Sequence, residues 1–142
     1  MFSLSHLHPM LVHFPIALVV FGFIALCASL VFKKETSLSI SSFYLLIVGT
    51  LSAIVAWLTG VLFTADMAGA AGQIKEIHEL AAFTTVGLLV ITSLLSVFLK
   101  IKNKENSNLK WAVFVLYSFA ALSVSVTGFY GGNLVYNYMM PL

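Results

Sequence analysis

The chain has 142 residues, of which 61% are hydrophobic and only 8% are charged, with a mean hydropathy of +1.05. So few polar side chains cannot cover the surface of a water-soluble domain, which excludes that class of protein. The net charge of +2 is too small to indicate nucleic-acid binding. The composition therefore predicts an integral membrane protein in contact with the lipid bilayer.

Four nearly uncharged runs divide the sequence. Each reaches or approaches the roughly 20 residues that a helix needs to cross the hydrocarbon core of a bilayer. We expect an all-α integral membrane four-helix bundle that forms a single transmembrane domain over residues 1–142. The predicted spans are about 10–32, 40–64, 79–99 and 111–130.

The basic residues are distributed unevenly between the two ends of the predicted bundle. Six of the seven lysines follow the first or third span, and Lys75 alone lies at the other end. Because cytoplasmic loops carry the excess of lysine and arginine, both termini and the loop at 65–77 should be periplasmic. The first run has neither a basic start nor a small-residue cleavage site, so it is expected to be retained as a helix. We expect a multi-pass protein of the bacterial inner membrane.

Matching landmarks recur in the two halves of the chain. His13 and His78 lie 65 positions apart, near the start of the first and third spans. Thr59-Gly60 and Thr127-Gly128 lie 68 positions apart, near the end of the second and fourth spans. We interpret this spacing as two parallel helical-hairpin repeats related by an axis along the membrane normal. Such a repeat would bring the two imidazoles together at the outer end of the bundle.

Two backbone features bear on this arrangement. Pro15 inside the first span leaves the carbonyl of Leu11 without its helical partner, so the backbone near His13 should depart from regular helix. Gly22 and Gly87 each follow a histidine of the pair by nine residues. Nine residues turn an ideal helix through half a revolution, so these glycines should face away from the histidines and serve in packing.

Two neutral imidazoles facing each other in an apolar bundle are a common ligand pair of haem iron. We therefore predict haem b, with His13 and His78 as axial ligands. Gly60 and Gly128, with Thr59 and Thr127, would lie where helices meet the porphyrin. The predicted function is electron transfer by a small b-type cytochrome or haem-bearing subunit. The chain has no arginine for the haem propionates, which leaves Lys75, Tyr130, Asn133 and Tyr136.

Two alternatives remain open at this stage. His8, His13 and His78, with Asp66 or Glu79, would form an N/O cluster suited to zinc or copper. Alternatively, the protein is a cofactor-free accessory subunit, as a monomer or an oligomer, whose outer surface docks a membrane or periplasmic partner. No catalytic motif is present, so an enzymatic role beyond electron transfer has no support.

A segment near the N-terminus is the most specific motif in the sequence. It reads HPMLVHFPI over residues 8–16, and it is followed by Thr59-Gly60, His78 and the segment GGNLVY at 131–136. Together these motifs resemble the bacterial membrane-protein family DUF2231 over nearly the whole chain. The resemblance implies a four-span architecture and, because some relatives occur beside cytochrome-like partners, a redox role. Relatives often have an acidic residue where this chain has Asn133.

Overall fold

The computed structural model describes residues 7–102 and 107–138. Within these ranges the chain forms five α-helices and their connections. Four stretches are long and apolar enough to cross a membrane: His8–Val31, Thr36–Phe63, Gly69–Ile101 and Asn108–Tyr138. This finding confirms the prediction of an all-α protein with four membrane-spanning helices. The helices are α1 Leu7–Leu11, α2 His13–Val31, α3 Thr36–Phe63, α4 Gly69–Ile101 and α5 Ser107–Tyr138.

The long helices are arranged as two tightly packed pairs, α2 with α3 and α4 with α5. Smaller contacts between α3 and α4 and between α2 and α5 close the four helices into a bundle. α1 packs mainly against α3. Consecutive long helices are therefore antiparallel, so the starts of α2 and α4 and the ends of α3 and α5 lie at the same end of the bundle.

The interior is narrow and contains many small side chains, which let helices approach closely in lipid, where apolar surface alone gives little drive for association. Large apolar side chains instead cover the outside; Phe21, Leu62, Leu94 and Phe129 are each more than 60% exposed. This distribution suits a bundle surrounded by lipid. The central cluster consists of Val19, Leu46, Ala53, Leu89, Tyr117, Ala120, Ala121 and Val124.

The first span is interrupted where its sequence predicts a departure from regular helix. α1 ends at Leu11 and α2 begins at His13, while Val12 between them keeps helical backbone angles. Pro15 has no N–H to donate to the carbonyl of Leu11, which accounts for the break at this point. Pro15 itself is buried, so the break lies against the other helices rather than against lipid.

The connection between α3 and α4 is shorter than the sequence suggests. α4 begins at Gly69, which adopts a positive φ of 64°, and continues without interruption through the third span. The N-cap of α4 is Ala68, which makes no side-chain hydrogen bond. As a result His78 lies within a long continuous helix.

Candidate cofactor site

His8 and His78 lie side by side at the end of the bundle where α2 and α4 start. Their ring centroids are 6.3 Å apart, and the ring planes are inclined at 77°. The two residues belong to different helical hairpins and are 70 positions apart in the sequence. The bundle therefore brings two imidazoles from its two halves to one place.

Each ring of this pair is fixed by a hydrogen bond to the next membrane-spanning stretch of the chain. His8 Nδ1 lies 2.9 Å from the carbonyl oxygen of Ala56 on α3, and His78 Nδ1 lies 3.0 Å from the carbonyl oxygen of Thr127 on α5. A carbonyl oxygen accepts only, so Nδ1 carries the hydrogen in both rings. In a neutral imidazole the lone pair then lies on Nε2, the atom that binds metal ions.

A glycine makes room for each ring. A Cβ at Gly60 would lie 2.9 Å from Cε1 of His8, and a Cβ at Gly131 would lie 3.0 Å from Cε1 of His78. Carbon atoms at such distances are too close, so a larger residue at either position would require the imidazole to shift, whereas glycine lets the ring lie against the helix. Each histidine therefore has the same support: a backbone carbonyl and, four residues further along the same helix, a glycine.

His13 does not take the place that the sequence analysis gave it. It is exposed, and its Nδ1–H donates to the carbonyl oxygen of Pro9 at 2.9 Å, one turn back along its own segment. The imidazole that lies beside His78 is that of His8, five residues before His13. His13 still borders the cavity described below, while His6 lies outside the described residues.

The two Thr-Gly pairs are likewise not equivalent. Thr59 Oγ1 donates to the carbonyl oxygen of Ala56 at 2.8 Å and lies 3.2 Å from His8 Nδ1. In the other half the glycine against the histidine is Gly131 rather than Gly128, whose Cβ would lie 3.0 Å from Ile16. Matching Gly60 to Gly131 gives a spacing of 71 residues in place of the expected 68. Gly128 therefore serves close packing between α5 and α2.

Thr127 contributes through both its backbone and its side chain. Its carbonyl holds His78, while its hydroxyl donates to the carbonyl oxygen of Ser123 at 2.9 Å. Its Oγ1 also lies 3.1 Å from Thr85 Oγ1, which is 2.7 Å from Ser123 Oγ. These three hydroxyl groups form a polar wall directly below His78.

The histidine pair opens into a cavity of about 530 Å³ between the four long helices. Most of its wall is apolar, and it includes small residues from three helices, among them Ala56, Ala82 and Gly128. Its volume is in the usual range for sites that bind small molecules or cofactors. The chain thus combines an apolar chamber with two imidazoles that are fixed by hydrogen bonds.

Charged residues are confined to the outer rim of this cavity. Lys75 Nζ lies 3.2 Å from Asp66 Oδ1 and 3.3 Å from Glu79 Oε1, and all three residues line the cavity. The Lys75 side chain is only 12% exposed. The rim is therefore polar while the chamber behind it is apolar.

The predicted zinc or copper cluster is not assembled. Across residues 7–102 and 107–138, no group of three or more histidine, cysteine, aspartate or glutamate side chains is arranged to hold a metal ion. The exposed position of His13 and the pairing of Asp66 and Glu79 with Lys75 account for this result. What the fold does assemble is a pair of imidazoles.

The sequence analysis named His8 only as a ligand of the alternative metal cluster, because its sequence context suggests an exposed residue before the first span. The signal that could have identified His8 is its distance from a later glycine. His8 precedes Gly60 by 52 residues, and His78 precedes Gly131 by 53. The motif His-Pro at 8–9 marks the start of the first span, and helix α4 reaches far enough outward for His78 to lie at the same depth.

Four long apolar helices around a chamber with two histidines define a multi-pass membrane protein with a candidate cofactor site. The model of one protein family, described as a predicted membrane protein (DUF2231), matches residues 5–141. The chain therefore belongs to the DUF2231 family, as its motifs indicated. No curated protein and no solved structure matches the chain.

Proposed function

We propose that this protein is a small b-type cytochrome, or a haem-bearing subunit of a larger electron-transfer assembly, in which His8 and His78 would hold the haem iron. The observation that carries the proposal is the common support of the two rings. Both Nδ1 atoms donate to backbone carbonyls of the next long helix. Metal-binding histidines characteristically donate their second ring nitrogen in this way, which fixes the tautomer and raises the basicity of the ligand.

The separation of the rings supports a shared metal centre. An imidazole nitrogen lies about 1 Å from its ring centroid, and a metal–nitrogen bond is about 2 Å long. A single metal ion held by both rings would therefore be compatible with ring centroids about 6 Å apart, and those of His8 and His78 are 6.3 Å apart. Two nitrogen ligands suit haem iron, whose remaining four ligands come from the porphyrin.

The surroundings of the pair favour a one-electron carrier. When bound, haem supplies the redox chemistry, while the chain's own residues hold it, exclude water and set its electrostatic environment. Neutral ligands and an apolar wall disfavour extra charge on the iron, so the chamber contributes to the reduction potential. Small residues such as Ala56, Ala82 and Gly128 leave room for a flat macrocycle.

The cavity lies at the end of the bundle opposite most of the lysines, which supports a location at the periplasmic side of a bacterial inner membrane. The matching supports of His8 and His78 favour an origin from two parallel helical hairpins. An electron-transfer partner would then approach the rim formed by the start of α4 and the end of α5.

The proposal is tested by the optical spectrum of the protein purified from cells supplied with haem. A Soret band with the sharp visible bands of a low-spin haem is expected. His8→Ala and His78→Ala should each abolish the low-spin spectrum. His13→Ala is the matched control, since His13 lies near the same cavity but is exposed and hydrogen-bonded within its own segment.

Two outcomes would contradict the proposal of a cytochrome. One is protein that remains without a Soret band after haem reconstitution, although it is folded as judged by a cooperative thermal transition. The other is a spectrum that survives in the double variant His8→Ala, His78→Ala. Either result would favour the alternative of a cofactor-free accessory subunit, in which the two histidines only join the hairpins.

A further inference from the structure

Lys75 is a largely buried charged residue of the cavity, and binding of a cofactor by the two histidines gives it no role. Its side chain is 12% exposed, it lines the cavity, and its Nζ pairs with two carboxylates. A lysine in an apolar wall needs an anionic partner, because its charge is costly to desolvate alone. The other lysines of the described residues lie at the opposite end of the bundle, so Lys75 is the cation of this site.

The position of Lys75 relative to His78 is set by the helix. The two residues are three positions apart on α4 and therefore share one face, with Lys75 further outward by about 4.5 Å. A ligand that binds His78 at its centre thus presents its outer edge to Lys75. The chamber is apolar at the depth of the histidines and cationic at this one point of the rim.

The two carboxylates that pair with Lys75 are not equivalent. Glu79 lies one turn further along α4 and is fixed by the helix, with 56% of its side chain exposed. Asp66 belongs to the short connection between α3 and α4, and its side chain is fully exposed. An ion pair with an exposed carboxylate on a connecting segment contributes little stability and exchanges readily.

We infer that Lys75 is the anchor for an acidic group on the ligand of this cavity, and that Asp66 competes with the ligand for it. The ligand class is an apolar body that carries a carboxylate at its outer edge. The inference rests on the proposed function where the ligand is haem, whose propionates have this chemistry. A fatty acid shares the same chemistry without iron, and the experiment below separates the two sources.

The test measures equilibrium binding of three probes to the purified full-length chain: haem, haem dimethyl ester and a fluorescent fatty acid. Lys75→Met should weaken haem binding about tenfold, the usual effect of losing a hydrogen bond to a charged group. Asp66→Asn should strengthen it about threefold by removing the competitor. Glu76→Gln is the matched control, because it removes an exposed carboxylate next to Lys75 in sequence. The diester should bind equally to all four proteins.

The opposite signs expected for Lys75→Met and Asp66→Asn guard against a general loss of folding, which would weaken binding in both. If Lys75→Met weakens the binding of haem and of its diester equally, Lys75 does not anchor a carboxylate. The proposed cytochrome function would not be affected by that result. If haem does not bind the parent chain but the fatty acid binds in a Lys75-dependent way, the proposed cytochrome function is wrong and the proposed role of Lys75 is supported. If neither acid binds, the anchor is overturned as well.

Discussion

The imidazoles of His8 and His78 meet at 6.3 Å although their helices belong to different halves of the chain. Each ring is held by the next membrane-spanning stretch, α3 for His8 and α5 for His78, through a carbonyl oxygen that accepts from Nδ1 and a glycine against Cε1. The hydrogen bonds thus fix the orientation of both rings and leave the lone pair of each neutral ring on Nε2. This relationship yields the first prediction.

Gly60→Ala and Gly131→Ala should each displace one histidine of the pair. The added methyl group would lie within about 3 Å of the ring, so the imidazole must move and its Nδ1 hydrogen bond must lengthen or break. We expect haem affinity to fall by about 10- to 100-fold, as for other losses of support to a metal ligand. The measurement is a haem titration of the purified variants.

The neighbouring residue Gly132 provides the control for this experiment. A Cβ at Gly132 has no neighbour within 4 Å, so Gly132→Ala should leave haem affinity unchanged. Imidazole ¹⁵N chemical shifts of His8 and His78 give a second readout that needs no haem. If Gly131→Ala leaves the shifts of His78 as they are in the parent chain, the steric role of this glycine is wrong.

A second prediction concerns the centre of the bundle, where Gly22 on α2 meets Tyr117 on α5. A Cβ at Gly22 would overlap the Tyr117 hydroxyl. That hydroxyl is fully buried and has no hydrogen-bond partner among the described residues. Gly22→Ala should lower the free energy of unfolding by about 1–3 kcal/mol, as overpacking typically does. Tyr117→Phe should raise it by about 1 kcal/mol by removing an unsatisfied polar group.

The double variant Gly22→Ala, Tyr117→Phe tests whether the two effects share one cause. A Cβ at Gly22 would also lie 3.0 Å from Leu45 Cβ, so the double variant should recover the part of the stability loss that comes from the hydroxyl. Gly87→Ala is the control, because Gly87 is exposed and a Cβ there meets nothing within 4 Å. Unfolding in mixed micelles supplies the free energies, and strictly additive effects of the two substitutions would contradict the prediction.

The sequence was sufficient to predict the helices but not the register of the site. Hydropathy identifies four spans because each run is long and nearly free of charge. The sequence placed His13 rather than His8 beside His78, because the two Thr-Gly pairs suggested a spacing of 68 residues. In the structure the glycine that lies against His78, as Gly60 lies against His8, is Gly131. A difference of three residues almost completes a helical turn, so both glycines of α5 lie near the same face and the pattern alone could not separate them.

The length of the helices was underestimated for a related reason. Charged residues at 75–79 suggested a loop, but Lys75 forms ion pairs with Glu79 on the same helix and with Asp66. These pairs let α4 continue beyond the apolar run, which is how His78 comes to lie within a helix. Hydropathy does not report such compensation, since it scores each charge alone.

A third prediction concerns the contact between the two halves of the bundle. Thr50 Oγ1 on α3 lies 2.7 Å from Ser93 Oγ on α4, and both residues are buried. The Thr50 hydroxyl donates to the carbonyl oxygen of Leu46 at 2.8 Å, so Ser93 is the donor between the helices. Thr50→Val and Ser93→Ala should show a coupling energy of about 0.6 kcal/mol, typical of interhelical hydrogen bonds in membranes.

Ser96→Ala is the control for this cycle. The Ser96 hydroxyl donates to the carbonyl oxygen of Thr92 within α4, at 2.8 Å, so its removal should not couple to Thr50→Val. Both cycles are measured as free energies of unfolding in the same micelles. A coupling between Thr50 and Ser93 no larger than that between Thr50 and Ser96 would show that the hydroxyl contact does not join the halves.

The last prediction concerns the orientation of the bundle. Glu35 lies in the connection between α2 and α3, and Ala68 lies at the start of α4 beside the cavity; both are exposed. Lys33 and Lys34 adjoin Glu35, so this end should be cytoplasmic. Single cysteines at Glu35→Cys and Ala68→Cys, in a chain carrying Cys27→Ala, can then be labelled with a membrane-impermeant maleimide in intact cells.

We expect Ala68→Cys to react in intact cells and Glu35→Cys to react only after the membrane is made permeable. The parent Cys27→Ala chain controls for non-specific labelling, and full labelling of both variants in detergent shows that each thiol is accessible. The opposite pattern would place the histidine pair at the cytoplasmic side. The ligand cavity would then open to the reducing compartment, and any electron-transfer partner would have to be sought there.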